Sequence, residues 1–316
     1  MSCARHVFGP VPSRRLGASL GIDLVPFKTC TYDCVYCQLG RTTCLTVERQ
    51  EYVPVDEILR EFEERMSLGC DASYVTLSGS GEPTLHSRIG DVIAGIKRRT
   101  RLPVAVLTNG SLLSDPSVCE ALHQADLVIP SLDAGDEETF RRVNRPHPLI
   151  TFQRMVDGLW QFASRFSGAI WLEVFLLAGV TDTVEDTSKI AKLISGLPLD
   201  RVQLNTVERP PAEATARPVP VAELRRFADC FPVATDILVA DPRQEMPGRN
   251  HHEGAEGEMI ELLARRPCTI EDIILGLGIH RQEAIKFIEA LVERGAVKAQ
   301  RREKAIYYMF ERKGSI

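Results

Sequence analysis

Long apolar runs are missing from this 316-residue chain. No stretch approaches the roughly 18–20 apolar residues that a bilayer-spanning helix needs. The opening Met1-Ser2-Cys3-Ala4-Arg5 leads into no signal-peptide core, so the expectation is a cytoplasmic protein with no membrane association. A surplus of positive charge is missing too: 38 Lys and Arg stand against 43 Asp and Glu, a formal net charge of −5. That balance excludes a uniformly basic nucleic-acid-coating protein and leaves room only for a local basic groove. The even cysteine set of a secreted disulfide scaffold is also absent. The nine cysteines are an odd number and mostly scattered, as expected of free thiols in a reducing compartment. With 44% hydrophobic and 26% charged residues, the composition is globular, and the length suits one large α/β domain with a small appendage.

Against this background one stretch stands out: Lys28-Thr29-Cys30-Thr31-Tyr32-Asp33-Cys34-Val35-Tyr36-Cys37. It sets Cys30, Cys34 and Cys37 at spacing Cx3Cx2C in a short loop. Soft thiolates this close suit three corners of a 4Fe–4S cluster and leave the fourth iron open to a small-molecule ligand. A structural zinc site is the main competitor, but zinc usually takes a closed set of four ligands. Here only Cys44 lies nearby, and no histidine does. The pattern resembles the radical S-adenosylmethionine (SAM) superfamily. That resemblance implies a 4Fe–4S cluster whose open iron is chelated by SAM, cleavage of SAM to a 5′-deoxyadenosyl radical, and a reductant such as flavodoxin or ferredoxin as partner.

Strand-like runs occur at Leu20–Leu24, Tyr74–Ser78, Val104–Thr108, Leu127–Leu132, Ile170–Leu176 and Val202–Asn205, separated by amphipathic segments. In the segment Asp56–Ser67, Ile58, Leu59, Phe62 and Met66 fall on one helical face. Six strands with helical crossovers imply a parallel sheet. The α/β class is then expected as the partial (β/α)6 barrel of radical SAM enzymes, with the cysteine loop after the first strand. A run starting near Ala234 is left open between a seventh strand and a lid.

Further motifs follow the strands. After the second comes Ser78-Gly79-Ser80-Gly81-Glu82-Pro83, where glycines permit close backbone approach to a ligand. The resemblance assigns Gly79, Gly81 and Glu82 to the SAM amino group. Thr108-Asn109-Gly110 after the third strand is a turn that places polar groups at the barrel mouth. Ser131 and Asp133 after the fourth, Glu173 in the fifth and Asn205 at the end of the sixth are further expected SAM contacts. Tyr36 matches the aromatic whose neighbourhood packs on adenine in the family. Each of these residues also has an ordinary structural reading as a cap, a turn residue or a satisfied barrel polar group.

The segment Phe8–Asp23, with Arg14 and Arg15, and the run Cys37-Gln38-Leu39-Gly40-Arg41-Thr42 resemble a radical SAM group related to 4-demethylwyosine synthase, a tRNA-modifying enzyme. The likeness spans about residues 6 to 245 and implies a tRNA base as substrate. Arg14 and Arg15 would then hold a phosphate or carboxylate. One departure weighs against carrying that substrate over: only Cys3 precedes the loop, so the second cluster of that enzyme is not visible. The stretches Phe140–Pro148, including Arg145, and Asn205–Pro211 are expected as lids or substrate contacts, with solvated loops as the alternative.

The domain layout expected is a barrel over 1–245, a linker over 246–256 and a small domain over 257–316. In the last, Thr269 caps a helix, Arg281–Arg294 is a helix ended by Gly295, and two strands flank Arg301-Arg302-Glu303-Lys304, an order that resembles a winged helix-turn-helix. Residues 255–316 hold eleven Lys/Arg against ten Asp/Glu, too balanced to imply nucleic-acid binding. Three functions are compatible with the sequence: a radical SAM enzyme on a tRNA base, one acting on a small molecule or protein side chain, and a non-catalytic iron–sulfur DNA-binding redox sensor. The substrate and the oligomeric state are not legible.

Overall fold

The computed structural model describes residues 6–238, 255–302 and 305–311. Cys3, His251-His252, the linker up to residue 254 and the Glu303-Lys304 tip lie outside the described residues.

Strands β1 (Val7–Ser13) and β2 (Gly17–Ile22) form an antiparallel hairpin, and the two-residue strands β3 (Thr29–Cys30) and β4 (Cys44–Leu45) pair beside the cysteine loop. Then follow α1 (Val55–Ser67), β5 (Tyr74–Leu77), α2 (Ile89–Lys97), β6 (Val104–Thr108), α3 (Pro116–Leu122) and β7 (Leu127–Pro130). The chain continues through α4 (Glu137–Asn144), α5 (Phe152–Ala163), β8 (Ala169–Leu176), α6 (Val184–Leu193), β9 (Arg201–Thr206), α7 (Val221–Ala228) and β10 (Thr235–Ile237). The sheet order is β1-β2-β5-β6-β7-β8-β9-β10, parallel from β2 onward and unclosed at its edges. Parallel neighbours need helical crossovers, which is why strand and helix alternate so regularly here.

Six parallel strands were expected and seven are present, because the run near Ala234 becomes β10 against β9. The hairpin strand β1 adds an antiparallel edge. Helix α4 takes up the first part of the stretch Phe140–Pro148, expected as a lid or substrate contact with a solvated loop as the alternative. It is short and charged, but Asp136 caps its first turn by accepting from Thr139 N, and Phe140 and Val143, one turn apart, are both buried.

Period-2 alternation positions the site. In β8, Ile170, Leu172, Val174 and Leu176 are buried in the main core, while Glu173 and Phe175 project to the opposite face. The main core joins strand residues such as Leu20, Val75 and Val106 to Phe62, Ile93 and Phe162 of the covering helices.

Residues 255–310 fold as α8 (Ala255–Arg265), α9 (Ile270–Leu277), α10 (Arg281–Glu293) and the hairpin β11 (Val297–Arg302) and β12 (Ala305–Phe310). Helix α8 starts at Ala255, two residues inside the expected linker. Thr269 and Asp272 form a reciprocal capping box on α9, and Gly278 ends that helix at φ 65°. These elements bury their own cluster of Met259, Ile273, Ala284, Ile288 and Leu291, with Val11 of β1 packed against it. Polar ties complete the docking: Arg209 to Asp272 at 3.0 Å, Arg265 to Asp23 at 3.2 Å, and the Tyr307 hydroxyl donating to the Glu208 carbonyl at 2.7 Å.

Candidate active site

Cys30, Cys34 and Cys37 line one cavity of about 380 Å³ on the face of the sheet opposite the main core. Each sulfur receives one N–H from a residue that is not a cysteine. Asn109 Nδ2 lies 3.6 Å from Cys30 Sγ, Asn144 Nδ2 lies 3.6 Å from Cys34 Sγ, and Lys28 Nζ lies 3.2 Å from Cys37 Sγ. Burial, with the charge of Glu82, pushes the Cys30 thiol up to about 12, and burial raises Cys34 well above its usual range. Lys28 is only 3% exposed, sits at φ 58°, and has no described partner for its ammonium except that sulfur. A buried cation without a carboxylate calls for negative charge at the cysteines.

The loop after β5 is clamped to the cysteine loop. Lys28 N donates to Ser80 O at 2.6 Å, Glu82 N donates to Thr29 O at 3.1 Å, and Ser80 N donates to Asp23 Oδ1 at 2.8 Å. Two glycines make this possible: a Cβ on Gly81 would fall on the Thr29 carbonyl, and Gly79, at φ 119°, would meet the Asp23 carboxylate. The buried Glu82 carboxylate accepts from Thr84 N at 3.0 Å, Thr84 Oγ1 at 2.6 Å, Thr108 Oγ1 at 2.6 Å and Asn109 N at 2.8 Å. Burial raises the pKa of Glu82 and these donors oppose that rise. Glu82 thus ties the β5 and β6 loops together and aims Asn109 at Cys30.

Asp133 departs from expectation. It does not line the cavity but lies behind it, accepting from Tyr36 OH at 2.5 Å, Asn144 Nδ2 at 2.7 Å and Phe175 N at 3.0 Å. Burial pushes its pKa up to about 6 against these donors. The Tyr36 ring stacks on Phe175 with centroids 3.9 Å apart and planes 10° from parallel. Asp133 therefore fixes Tyr36 and Asn144 rather than reaching a ligand itself.

Glu173 does line the cavity, held by Arg15 through contacts of 2.9 and 3.0 Å and by Asn205 Nδ2 at 2.7 Å. Burial would raise its pKa, but Arg15, Asn205 and Arg14 together outweigh burial and lower it. Arg14 and Arg15 both reach the cavity wall already paired, since Arg14 contacts Glu208 at 2.6 Å and the Leu238 carbonyl at 2.8 Å. Arg145 is a second correction. It ends α4 at φ 45°, pairs with Glu213 at 2.8 Å and is not among the residues lining the cavity. Gly79, Gly81, Thr108, Asn109, Ser131 and Asn205 all line it.

Sequence reasoning gave no individual role at this site to Lys28, Asn144, Phe175 and Arg209, although Arg209 lay in the stretch Asn205–Pro211 expected as a lid or substrate contact. Asn144 stood inside a stretch already marked as substrate-facing, but nothing in its spacing pointed to Cys34, 110 residues earlier.

The donor set fits a cluster with one open iron. Three sulfurs share the cavity, while exposed Cys44 does not line it, and no other cysteine or histidine among the described residues does. A structural zinc site, usually closed by four cysteine or histidine ligands, would lack its fourth such ligand there. His6, just before β1, and Glu57 and Glu61 of α1 are the one described set of three possible ligands whose atoms all lie within 4.8 Å of one another, and none of them lines the cysteine cavity.

Comparison with known proteins agrees. A profile of the radical SAM superfamily matches residues 24–204. The chain is 31% identical over 310 residues to a UPF0026 protein of Methanocaldococcus jannaschii, covering 96% of this chain and 95% of that one. It is 38% identical over 297 residues to a Brachyspira hyodysenteriae protein named GTPase Obg, where it covers 94% of this chain and spans only 44% of that protein. Among solved structures, a radical SAM methyltransferase from Sphaerobacter thermophilus superposes with TM-score 0.53 at 17% identity, covering 69% of this chain and 65% of that one. Streptococcus suis SuiB bound to S-adenosylmethionine gives 0.53 at 15% identity, covering 72% and 53%. At such identities these two likenesses speak for the fold. The cysteine loop at the head of a parallel, unclosed sheet and the profile match over most of that sheet together make this chain a UPF0026 member of the radical SAM superfamily, an enzyme that uses a 4Fe–4S cluster and S-adenosylmethionine.

Proposed function

We propose that the chain abstracts hydrogen from a small substrate enclosed between the sheet and the carboxyl-terminal helices. The carrying observation is the convergence of Cys30, Cys34 and Cys37 on one cavity with Lys28, Asn109 and Asn144 each donating to one sulfur. The cluster, when bound by these cysteines, supplies the electron that cleaves SAM to the 5′-deoxyadenosyl radical. The chain's own residues do the rest. Lys28 balances thiolate charge, and Glu82 and Asp133 hold Asn109 and Asn144 at their sulfurs. Gly79 and Gly81 leave a bare backbone edge beside the cluster loop for the SAM ammonium. Glu173 and Asn205, with Ser131, offer polar groups for the ribose and methionyl ends, and the Tyr36–Phe175 stack is an apolar wall for the adenine.

Residues 1–245 are read as the catalytic barrel and 257–316 as a small domain of winged helix-turn-helix type. Its α9 packs against β1 and pairs with Arg209, which favours a roof over the cavity. Helix α10 carries Glu283, Glu289 and Glu293, which count against a nucleic-acid face. A tRNA base remains a second reading, carried by Arg14 and Arg15 at the cavity wall and by the likeness to the 4-demethylwyosine synthase group. Such chemistry needs a reductant, for which flavodoxin or ferredoxin is suited, and a reducing compartment such as the cytoplasm.

The test is anaerobic: reconstitute the cluster, add SAM and dithionite, and quantify 5′-deoxyadenosine against a Cys30→Ala/Cys34→Ala/Cys37→Ala control. Cysteine-dependent product supports the reading. A fully loaded cluster that yields none, with or without bulk tRNA or cell-extract metabolites, argues against it.

A further inference from the structure

A second chamber of about 390 Å³ lies beyond the cluster cavity. The two share Arg15, Gln38, Gly79, Leu107 and Arg209 in their walls, so they lie side by side. The hairpin β1–β2 forms one wall, with Phe8 and Val11, and helices α8 and α9 form the other, with Leu262. Whatever occupies this chamber therefore abuts the position proposed above for SAM.

The charges lining it are mostly spent within the protein. Arg209 is held by Asp272 at 3.0 Å, Arg265 by Asp23 at 3.2 Å, and Arg14 by Glu208 at 2.6 Å. Arg65 donates to the carbonyls of Gly9 and Gly69. Arg266 differs. Its guanidinium lines the chamber, half-buried, with no hydrogen-bond or ion-pair partner among the described residues. Burial lowers its pKa, and the neighbouring Arg209 lowers it further. Asp272, the acid that acts on Arg266, is committed to Arg209 and to its capping box, and Glu258 and Glu261 of α8 line the chamber without pairing with Arg266. A half-buried guanidinium beside a second cation gains when an anion meets it. Its planar fork suits the oxygens of a carboxylate or phosphate.

We propose that this chamber is the substrate subsite and that Arg266 receives an anionic group, carboxylate or phosphate, of a small molecule whose apolar part packs against Phe8, Val11 and Leu262. The substrate meaning of the chamber rests on the radical SAM reading, whereas anion binding at Arg266 is measurable without it.

The experiment uses the full reconstituted chain saturated with SAM, titrated calorimetrically at constant ionic strength with inorganic phosphate and, separately, with succinate. We expect saturable binding of at least one, and which of the two binds identifies the anion class. Arg266→Gln is expected to weaken that binding about tenfold or more. Arg266→Lys, which keeps charge but loses the fork, should weaken it less, and Lys298→Gln on exposed β11 should leave it unchanged. No saturable binding of either anion by the wild-type protein, or equal affinity in a folded Arg266→Gln, overturns the proposal. Should Arg266→Gln fail to fold, unchanged affinity in Arg266→Lys overturns it equally. The 5′-deoxyadenosine assay runs in parallel: its failure with anion binding intact removes the radical reading and leaves the subsite, and the reverse result removes the subsite alone.

Discussion

Arg15 closes on Glu173 through two N–H···O contacts of 2.9 and 3.0 Å, joining the turn after β1 to the centre of β8 across 158 residues of sequence. The side chains are 11% and 16% exposed, so the pair is largely shielded from water. Breaking one side of such a pair strands the other charge. Glu173→Gln is expected to lower the unfolding free energy by about 2–4 kcal/mol, measured by urea denaturation of the apoprotein. A loss below about 1 kcal/mol would class the pair with ordinary surface ion pairs.

Lys28 leads to a prediction of opposite signs in two measurements. Its ammonium is buried and its one described partner is the Cys37 sulfur. Lys28→Met removes a desolvated charge, so the apoprotein should be no less stable to heat. The same change removes the cation facing the thiolates, so cluster retention under a chelator should fall severalfold, read as iron per chain over time. Equal retention in the two proteins would mean that the ammonium does not serve the cysteines.

Asp133 should impose a pH dependence on folding. Its folded pKa, about 6, lies above the ordinary 3.8, because burial penalises the charged form. Below pH 3.8 both states hold the proton and the full contribution is present. As pH rises the unfolded chain loses its proton first, so stability drains away up to about pH 6 and stays reduced above it. The span corresponds to roughly 3 kcal/mol at most. The difference between wild-type and Asp133→Asn stability, followed from pH 4 to pH 7, should carry this slope, and a pH-independent difference would refute it. Asp133 takes Tyr36 and Asn144 on one oxygen and Phe175 N on the other, so the asparagine variant, with one oxygen, also loses at least one of these bonds.

Asp272 serves two masters, pairing with Arg209 and closing the capping box of α9. Asp272→Ala removes both, and the cap alone is worth about 1 kcal/mol. We expect accelerated proteolytic cleavage between residues 238 and 281 with the barrel left intact, seen by mass spectrometry of limited digests. Unchanged cleavage kinetics would show that apolar packing by Val11 and its neighbours holds the helices without this ion pair.

The chemistry of the cysteine loop was legible in sequence because Cx3Cx2C is local, and the backbone alone brings those sulfurs near one another. The loops after β5 and β6 were legible for a related reason: glycine and turn residues mark where a parallel strand ends. Helix α4 was not, since eight residues, four of them charged, carry little periodic signal and burial of Phe140 and Val143 decides the matter.

What the sequence by itself determined is the alternation of strands and helices, the three cysteines and the glycines that admit close backbone contact. Tertiary structure alone decided which polar groups act on those cysteines. Asn144, Asp133 and Glu173 reach their partners across 110, 97 and 158 residues. Tertiary structure also turned Asp133 and Arg145 away from the cavity and left Arg266 in the chamber wall with no hydrogen-bond or ion-pair partner among the described residues. The physical reason is common to all of these. Hydrogen bonds and ion pairs act over about 3 Å, and only the register of the sheet and the packing of helices on it bring distant residues within that range.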